Sequence, residues 1–310
     1  MNQFTVSNPW DPTPKGWPWR QTALKPPPGD PGAQWHWTGW ALPVHAEGEI
    51  VDLEPNVDVS ASVALVTGAN QGIGLGFVEV LLARGVAKVY ATARNPVTLA
   101  GLVALDPGRV VGLELDVTSP EQRLNALEQA PDVDLLINNA GIPGSPQGEE
   151  RRFLSATNLD DARQVMETDL WAPAEMCRLF VPPMVRRGSG QVINIISIGA
   201  LFCTPEYATY SAAKAAFGMM TQGLRIEVNG TGVGVAGVFT GGVETRMSAK
   251  NPNTLVSPQA HAVEVLDAVA AGEVDIFAGA RAGDIRDAVR ADPLAYEAQL
   301  IERFNTNRLE

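Results

Sequence analysis

The amino-acid sequence predicts an α/β fold: a doubly wound parallel sheet with helices on both faces, preceded by an irregular segment rich in tryptophan and proline. Three observations carry that reading. From about Ser62 onward, short apolar β-branched runs recur, and stretches of helical periodicity separate most of them. These runs lack the in/out alternation of a half-exposed strand, as expected when helices cover both faces of a sheet. Residues 1–58 share neither feature, so the chain divides into an extension, 1–58, and one domain, 59–310.

The extension holds six of the seven tryptophans, Trp10, Trp17, Trp19, Trp35, Trp37 and Trp40, and the run Pro26-Pro27-Pro28. Proline fixes φ and lacks an N–H, so an extended or polyproline-like path is expected there. Two readings stay open. The segment is a flexible tail, or it is an arm whose tryptophans pack on the body or on a partner subunit. Disordered tails normally lack aromatics, which favours the arm. The segment has no apolar core of a secretory signal.

In the domain, strands are expected at Val63–Thr67, Lys88–Thr92, Val110–Leu115, Asp134–Asn138, Gln191–Ser197 and Gly232–Phe239, with Val274–Gly279 closing the sheet. Helices are expected at Gly74–Arg84, Ala162–Arg187 and Ser211–Val228, then at Asp284–Arg290 and Pro293–Phe304.

Composition excludes several classes of function. The formal charge is −12, so no general basic face for nucleic acid is expected. No stretch of about 18 residues is free of polar side chains, so no membrane span is expected. Two cysteines, Cys177 and Cys203, cannot build a disulfide framework, which suits a reduced, cytoplasmic setting. The three histidines, His36, His45 and His261, are scattered, and no metal site is expected.

The first strand runs into Thr67-Gly68-Ala69-Asn70-Gln71-Gly72-Ile73-Gly74, and a helical stretch follows. Glycines let the backbone turn tightly and approach a pyrophosphate, and the helix N-terminus offers free N–H groups and partial positive charge. The bland alternative is a packing turn. The second strand ends at Ala93-Arg94, with no acid to take a ribose 2′-hydroxyl and a guanidinium suited to a 2′-phosphate. That choice points to NADP(H) in preference to NAD(H), the bland alternative being a solvated arginine in a surface turn. Tyr210 and Lys214 lie one helical turn apart. An ammonium there favours the phenolate and lowers the tyrosine pKa. Ser197 stands 13 residues upstream, at a strand end, where its hydroxyl can stabilise charge growing on an oxygen.

The glycine loop, Asn138-Asn139-Ala140-Gly141 and the Ser197, Tyr210, Lys214 spacing together resemble the short-chain dehydrogenase/reductase family, from about Ser62 to Met247 and more loosely beyond. The resemblance implies a Rossmann-type oxidoreductase moving a hydride between nicotinamide and a carbonyl carbon or secondary alcohol. It implies Tyr210 as general acid/base, Ser197 orienting the substrate oxygen and Lys214 tuning Tyr210 and binding ribose. It implies cofactor contacts from Gly68, Asn70, Gln71, Gly72, Ile73 and Gly74, from Asp116-Val117 beside the adenine, and from Asn139, Ala140 and Gly141. Val243 and Thr245 would meet the nicotinamide. Asp116 has an alternative as a cap of the Thr118–Glu121 turn, Asn138 and Asn139 as sheet supports, and Thr245 as a helix cap. A homodimer or homotetramer through the long helices is also implied.

Two positions depart from the family pattern. Asp169 stands where the family usually has an asparagine whose backbone carbonyl holds a relay water, and its carboxylate is expected to change the electrostatics of Lys214. Thr240 replaces a proline, which predicts a less rigid turn. The substrate side is expected from Ile142–Pro146, Ile198–Tyr207 and Glu244–Leu255, with Leu201, Phe202 and Tyr207 making a partly apolar pocket for a ketone, aldehyde or alcohol. Cys203 has two readings, a residue lining that pocket or, by preference, a small buried thiol. The competing readings are a cofactor-binding sensor or scaffold without turnover, and an epimerase or dehydratase that keeps its cofactor bound.

Overall fold

The computed structural model describes residues 59–145, 151–245, 247 and 255–306. The expected tryptophan arm lies outside them. Along the described chain the elements run β1 (Val63–Val66), α1 (Gly72–Ala83), β2 (Lys88–Ala93), α2 (Ala100–Leu105), β3 (Val110–Glu114), α3 (Pro120–Gln129) and β4 (Leu135–Asn138). Then come α4 (Asp160–Met166), a π-helical segment (Glu167–Trp171), α5 (Ala172–Arg187), β5 (Gly190–Ile195), α6 (Ala208–Glu227), β6 (Val233–Val238), α7 (Pro258–Ala270), β7 (Asp275–Ile276), α8 (Ala282–Ala291) and α9 (Pro293–Thr306).

The described strands form one seven-stranded parallel sheet in the order β3-β2-β1-β4-β5-β6-β7. Alternate residues of one strand face opposite layers, and both layers are apolar. Ala64 and Val66 join a core with Phe77, Leu81, Val265 and Leu266 of α1 and α7. Leu65, between them, joins a second core with Met176, Phe180 and Met184 of α5. This is why the strands read as continuous apolar runs rather than alternating ones. The chain order reverses between β1 and β4, and the crevice outside the carboxyl ends of these strands is where such sheets bind ligands.

Several sequence expectations shift. The helix expected over Ala162–Arg187 is α4, the π segment and α5 in succession. Pro173 explains the widening: it has no N–H for the carbonyl of Asp169, four residues earlier, and its ring crowds that carbonyl. The run Val274–Gly279 keeps only Asp275–Ile276 as strand, because Gly279 turns away at φ 90°. It still pairs irregularly, Gly241 N–H donating to the Ala278 carbonyl at 2.8 Å. No helix among the described residues is long and apolar enough to cross a membrane.

Candidate active site

A cleft of about 760 Å³ opens at the carboxyl ends of the strands, within the usual range for a small-molecule site. The glycine loop forms one end. Gly68 and Gly72 sit at φ 64° and 54°, backbone that other residues rarely adopt. Gly68, Asn70, Gln71, Gly72 and Ile73 line the cleft, whereas Gly74 lies beneath it. A Cβ at Gly74 would stand 2.6 Å from Asn139 Nδ2, so its role is close packing of helix on strand. No side chain caps α1 and no acid occupies its first turn, which leaves the N–H groups there for an anion.

Arg94 lines the same end, exposed at the rim behind buried Ala93. Among the described residues it makes no hydrogen bond or ion pair that would hold its guanidinium elsewhere. Asp116 and Val117 line the adjacent wall. The Asp116 carboxylate accepts from the N–H and hydroxyl of Thr118, at 2.9 and 2.7 Å, while Ser119 is the residue that caps α3.

Asn139, Ala140 and Gly141 line the middle. The Asn139 amide nitrogen donates to the carbonyls of Thr67 and Gly68, at 2.8 and 3.2 Å, so its side chain braces the glycine loop. Asn138 is buried and donates to Asn194 Oδ1 at 2.9 Å and to Cys177 Sγ at 3.3 Å, a purely internal network. Burial pushes the Cys177 thiol up to about 12, which leaves it inert.

Ser197, Tyr210 and Lys214 converge on the floor of this cleft. Ser197, two residues beyond β5, caps the short turn Ile198–Ala200, its Oγ accepting from Gly199 N–H at 3.1 Å, so the hydroxyl hydrogen stays free to donate. Tyr210 is half-buried in the first turn of α6, and Lys214 Nζ lies 5.8 Å from its ring centre. Lys214 is buried and donates to the Ile195 carbonyl at 3.1 Å.

Asp169 is also on this floor, fully buried, with Oδ1 at 3.0 Å from Lys214 Nζ. This approach is an ion pair without hydrogen-bond alignment, for Oδ1 receives no hydrogen bond. Oδ2 accepts from Ile142 N–H at 3.0 Å. Gly141 makes room, since a Cβ there would lie 2.5 Å from Oδ1. Burial raises the Asp169 pKa, against the pull of Lys214. Burial works against the Lys214 ammonium, but Asp169 and Tyr210 hold its pKa above the usual lysine value. Lys214 does pull the Tyr210 pKa down, as expected, but it does not set the net direction. Burial dominates and raises it, Lys214 pulls it down, Asp169 pushes it back up, and the Ser197 hydroxyl pulls it down again.

On the remaining wall, buried Val243 and half-buried Thr245 line the cleft, and Thr245 Cγ2 would stand 3.1 Å from a Cβ at Gly72. Thr240 lines it too, its hydroxyl 3.3 Å from Nε2 of buried His261. The looseness expected without the proline is offset by backbone bonds, Gly241 to Ala278 at 2.8 Å and Gly242 to Ala280 at 3.0 Å. Ile142, Pro143, Ile198, Phe202 and Tyr207 of the expected substrate side line the cleft, while Leu201 does not. Cys203 is exposed and outside it, so both readings of that thiol fail. Gln164 and Thr168 line the cleft unexpectedly; their i, i+4 spacing before Asp169 was the available signal.

A family model for short chain dehydrogenase matches residues 62–255. The chain belongs to the short-chain dehydrogenase/reductase family. It is 31% identical over 225 residues to a ketoacyl reductase, HetN, of a Nostoc species, covering 68% of this chain and 76% of the relative. It is 33% identical over 196 residues to the 3-oxoacyl-[acyl-carrier-protein] reductase FabG of Vibrio cholerae, covering 62% and 78%. A crystal structure of a short chain dehydrogenase from Burkholderia cenocepacia, in complex with NADP, superposes with a TM-score of 0.71 at 36% identity. It covers 79% of this chain and 99% of that one. The chain is thus an oxidoreductase of a family that binds a nicotinamide cofactor and acts on small molecules.

Proposed function

We propose that the protein is an NADP(H)-dependent oxidoreductase acting between a carbonyl and a secondary alcohol, with Tyr210 as its general acid/base. The observation that supports this best is convergence: Ser197, Tyr210 and Lys214 share one cleft with an uncapped helix N-terminus, the glycine loop and Arg94. A reduced nicotinamide, when bound in this cleft, would supply a hydride for the carbonyl carbon. Tyr210 Oη gives its proton to the carbonyl oxygen in reduction and takes the hydroxyl proton in oxidation. Ser197 Oγ–H donates to that same oxygen and stabilises its growing negative charge. Lys214 keeps a positive charge beneath the tyrosine and offers an N–H toward a ribose hydroxyl.

Gly68, Asn70, Gln71, Gly72 and Ile73 would hold the pyrophosphate, Asp116 and Val117 the adenine, and Asn139, Ala140 and Gly141 the ribose beside them. Val243 and Thr245 would face the carboxamide. Arg94 would grip the 2′-phosphate, and the NADP complex of the Burkholderia cenocepacia relative supports that choice. The relatives named as ketoacyl and 3-oxoacyl reductases support carbonyl reduction. Phe202, Tyr207, Ile142 and Pro143 suit a partly apolar ketone or aldehyde. The division at residue 58 and a homo-oligomer belong to the same reading. Exposed Trp171, Met219 and Ile226 on the long helices are surfaces a second copy could cover.

Two measurements test it. A panel of ketones and aldehydes is assayed by loss of NADPH absorbance, and Tyr210→Phe should abolish turnover while leaving NADPH binding largely intact. Appreciable activity in that variant defeats the assignment. Silence of the unaltered protein across a broad panel returns the weight to a cofactor-binding sensor.

A further inference from the structure

Buried charge must be counted as a total. On the floor of the cleft lie one buried carboxylate, Asp169, one buried ammonium, Lys214, and the half-buried phenol of Tyr210. With the phenol protonated the three sum to zero. Losing the Tyr210 proton leaves a net negative charge in a site where Asp169 is fully buried and Lys214 nearly so. An isolated buried charge is costly, so the neutral state is favoured.

We infer that Asp169 is a positioning residue that keeps the proton on Tyr210, because it makes the buried cluster electroneutral only while the tyrosine is protonated, and so biases the site toward carbonyl reduction. This rests on the reading of Tyr210 as the acid/base. The geometry gives Asp169 its hold. It sits 3.0 Å from Lys214 Nζ and is itself fixed by Ile142 N–H. The ammonium is fixed from the other side by the Ile195 carbonyl at 3.1 Å. Lys214 is therefore already matched to an anion and has less to gain from a phenolate. The other titratable group facing Tyr210 is Tyr207, its ring centre 6.2 Å away, and Arg151 lies over the Tyr207 ring at 5.2 Å. Arg152 is paired with Glu206 on the same side. None of these supplies a buried anion against Lys214 in place of Asp169.

Replacing Asp169 by its neutral isostere reverses the count. The protonated state then carries a net positive charge, and loss of the tyrosine proton restores neutrality. Asp169→Asn should lower the pH at which the Tyr210 phenolate forms by about one unit or more. The pH limb of alcohol oxidation then moves down with it, a gain of about tenfold in kcat/KM below the limb. Asp169→Glu, which keeps the charge, should leave the phenolate titration near that of the unaltered protein.

The direct experiment is ultraviolet difference titration of phenolate in the cofactor-free protein, with Tyr210→Phe subtracted to isolate one of the four tyrosines. It needs no substrate, so it stands whether or not turnover is found. A phenolate titration unmoved in a folded Asp169→Asn protein overturns the inference. Should that variant fail to fold, Asp169→Ser, which also removes the charge, carries the same test, and a phenolate titration no lower than that of the unaltered protein overturns the inference.

Discussion

On the proposed function, Arg94 and the Ser197, Tyr210, Lys214 group carry function in two different ways. The catalytic candidates are locked from several sides, whereas Arg94 is exposed and unpaired among the described residues. On the proposed reading its contribution is reserved for a ligand. Hydrogen bonds to a charged partner are worth about 1.5–3 kcal/mol, so Arg94→Ala should weaken NADPH binding about tenfold or more. NADH, which lacks the 2′-phosphate, should bind as before. Fluorescence titration of both cofactors at one ionic strength checks this, and equal losses for the two would refute the assignment. At this scale the sequence was informative wherever chemistry depends on spacing. Tyr210 and Lys214 share a face because four residues make a helical turn, and the structure keeps them there. What spacing could not give was the balance of environments. The sign of the Tyr210 shift depends on burial and on Asp169, which reaches it from another element. Cys203 was misjudged for a related reason: a small thiol is usually buried, but this one lies on an exposed loop.

Elements were legible in proportion to how local their causes are. The six longer strands follow from β-branched runs, and their boundaries moved by one or two residues. The π segment was not legible, since it arises where Pro173 denies a bond inside an otherwise helical pattern. The contact of α1 with α7 was equally hidden, because it joins segments far apart in sequence. Gly76 marks it. A Cβ there would lie 2.5 Å from the carbonyl carbon and oxygen of Pro258, a backbone that cannot step aside. Alanine in a helix is intrinsically better than glycine by about 1 kcal/mol, but overpacking costs about 1–3 kcal/mol, and the clash should win. Gly101, in α2, has nothing within 4 Å of its Cβ position. Gly101→Ala should therefore raise the melting temperature and Gly76→Ala should lower it. Thermal melts of the two variants test the pair, and a stabilised Gly76→Ala protein would mean the helices are free to part.

At the scale of the whole molecule, the acid limit of stability is set in part by a buried residue behind the cleft wall. His261 is fully buried against Phe77, edge to face at 6.2 Å, with Nδ1 unpartnered and Thr240 on its other nitrogen. Burial alone depresses its pKa to about 4. Between the ordinary value of about 6.5 and that depressed value, the unfolded chain binds a proton that the native protein refuses. Stability therefore falls as pH drops through this window, by about 3 kcal/mol when it is fully crossed, and is retained above it. Asp134 and Asp169 act with the opposite sign. Burial raises both, so each adds stability as pH falls toward the ordinary carboxylate value, and they blunt the loss at its lower end. The comparison of one variant with the unaltered protein separates these effects. In His261→Gln the carboxylates are unchanged and only the imidazole is removed, so urea midpoints at about pH 7 and about pH 4.5 should differ less than in the unaltered protein. Parallel pH slopes in the two proteins would show that His261 finds a way to charge inside the fold, through water or a shifted helix, and would remove it from the account of acid unfolding.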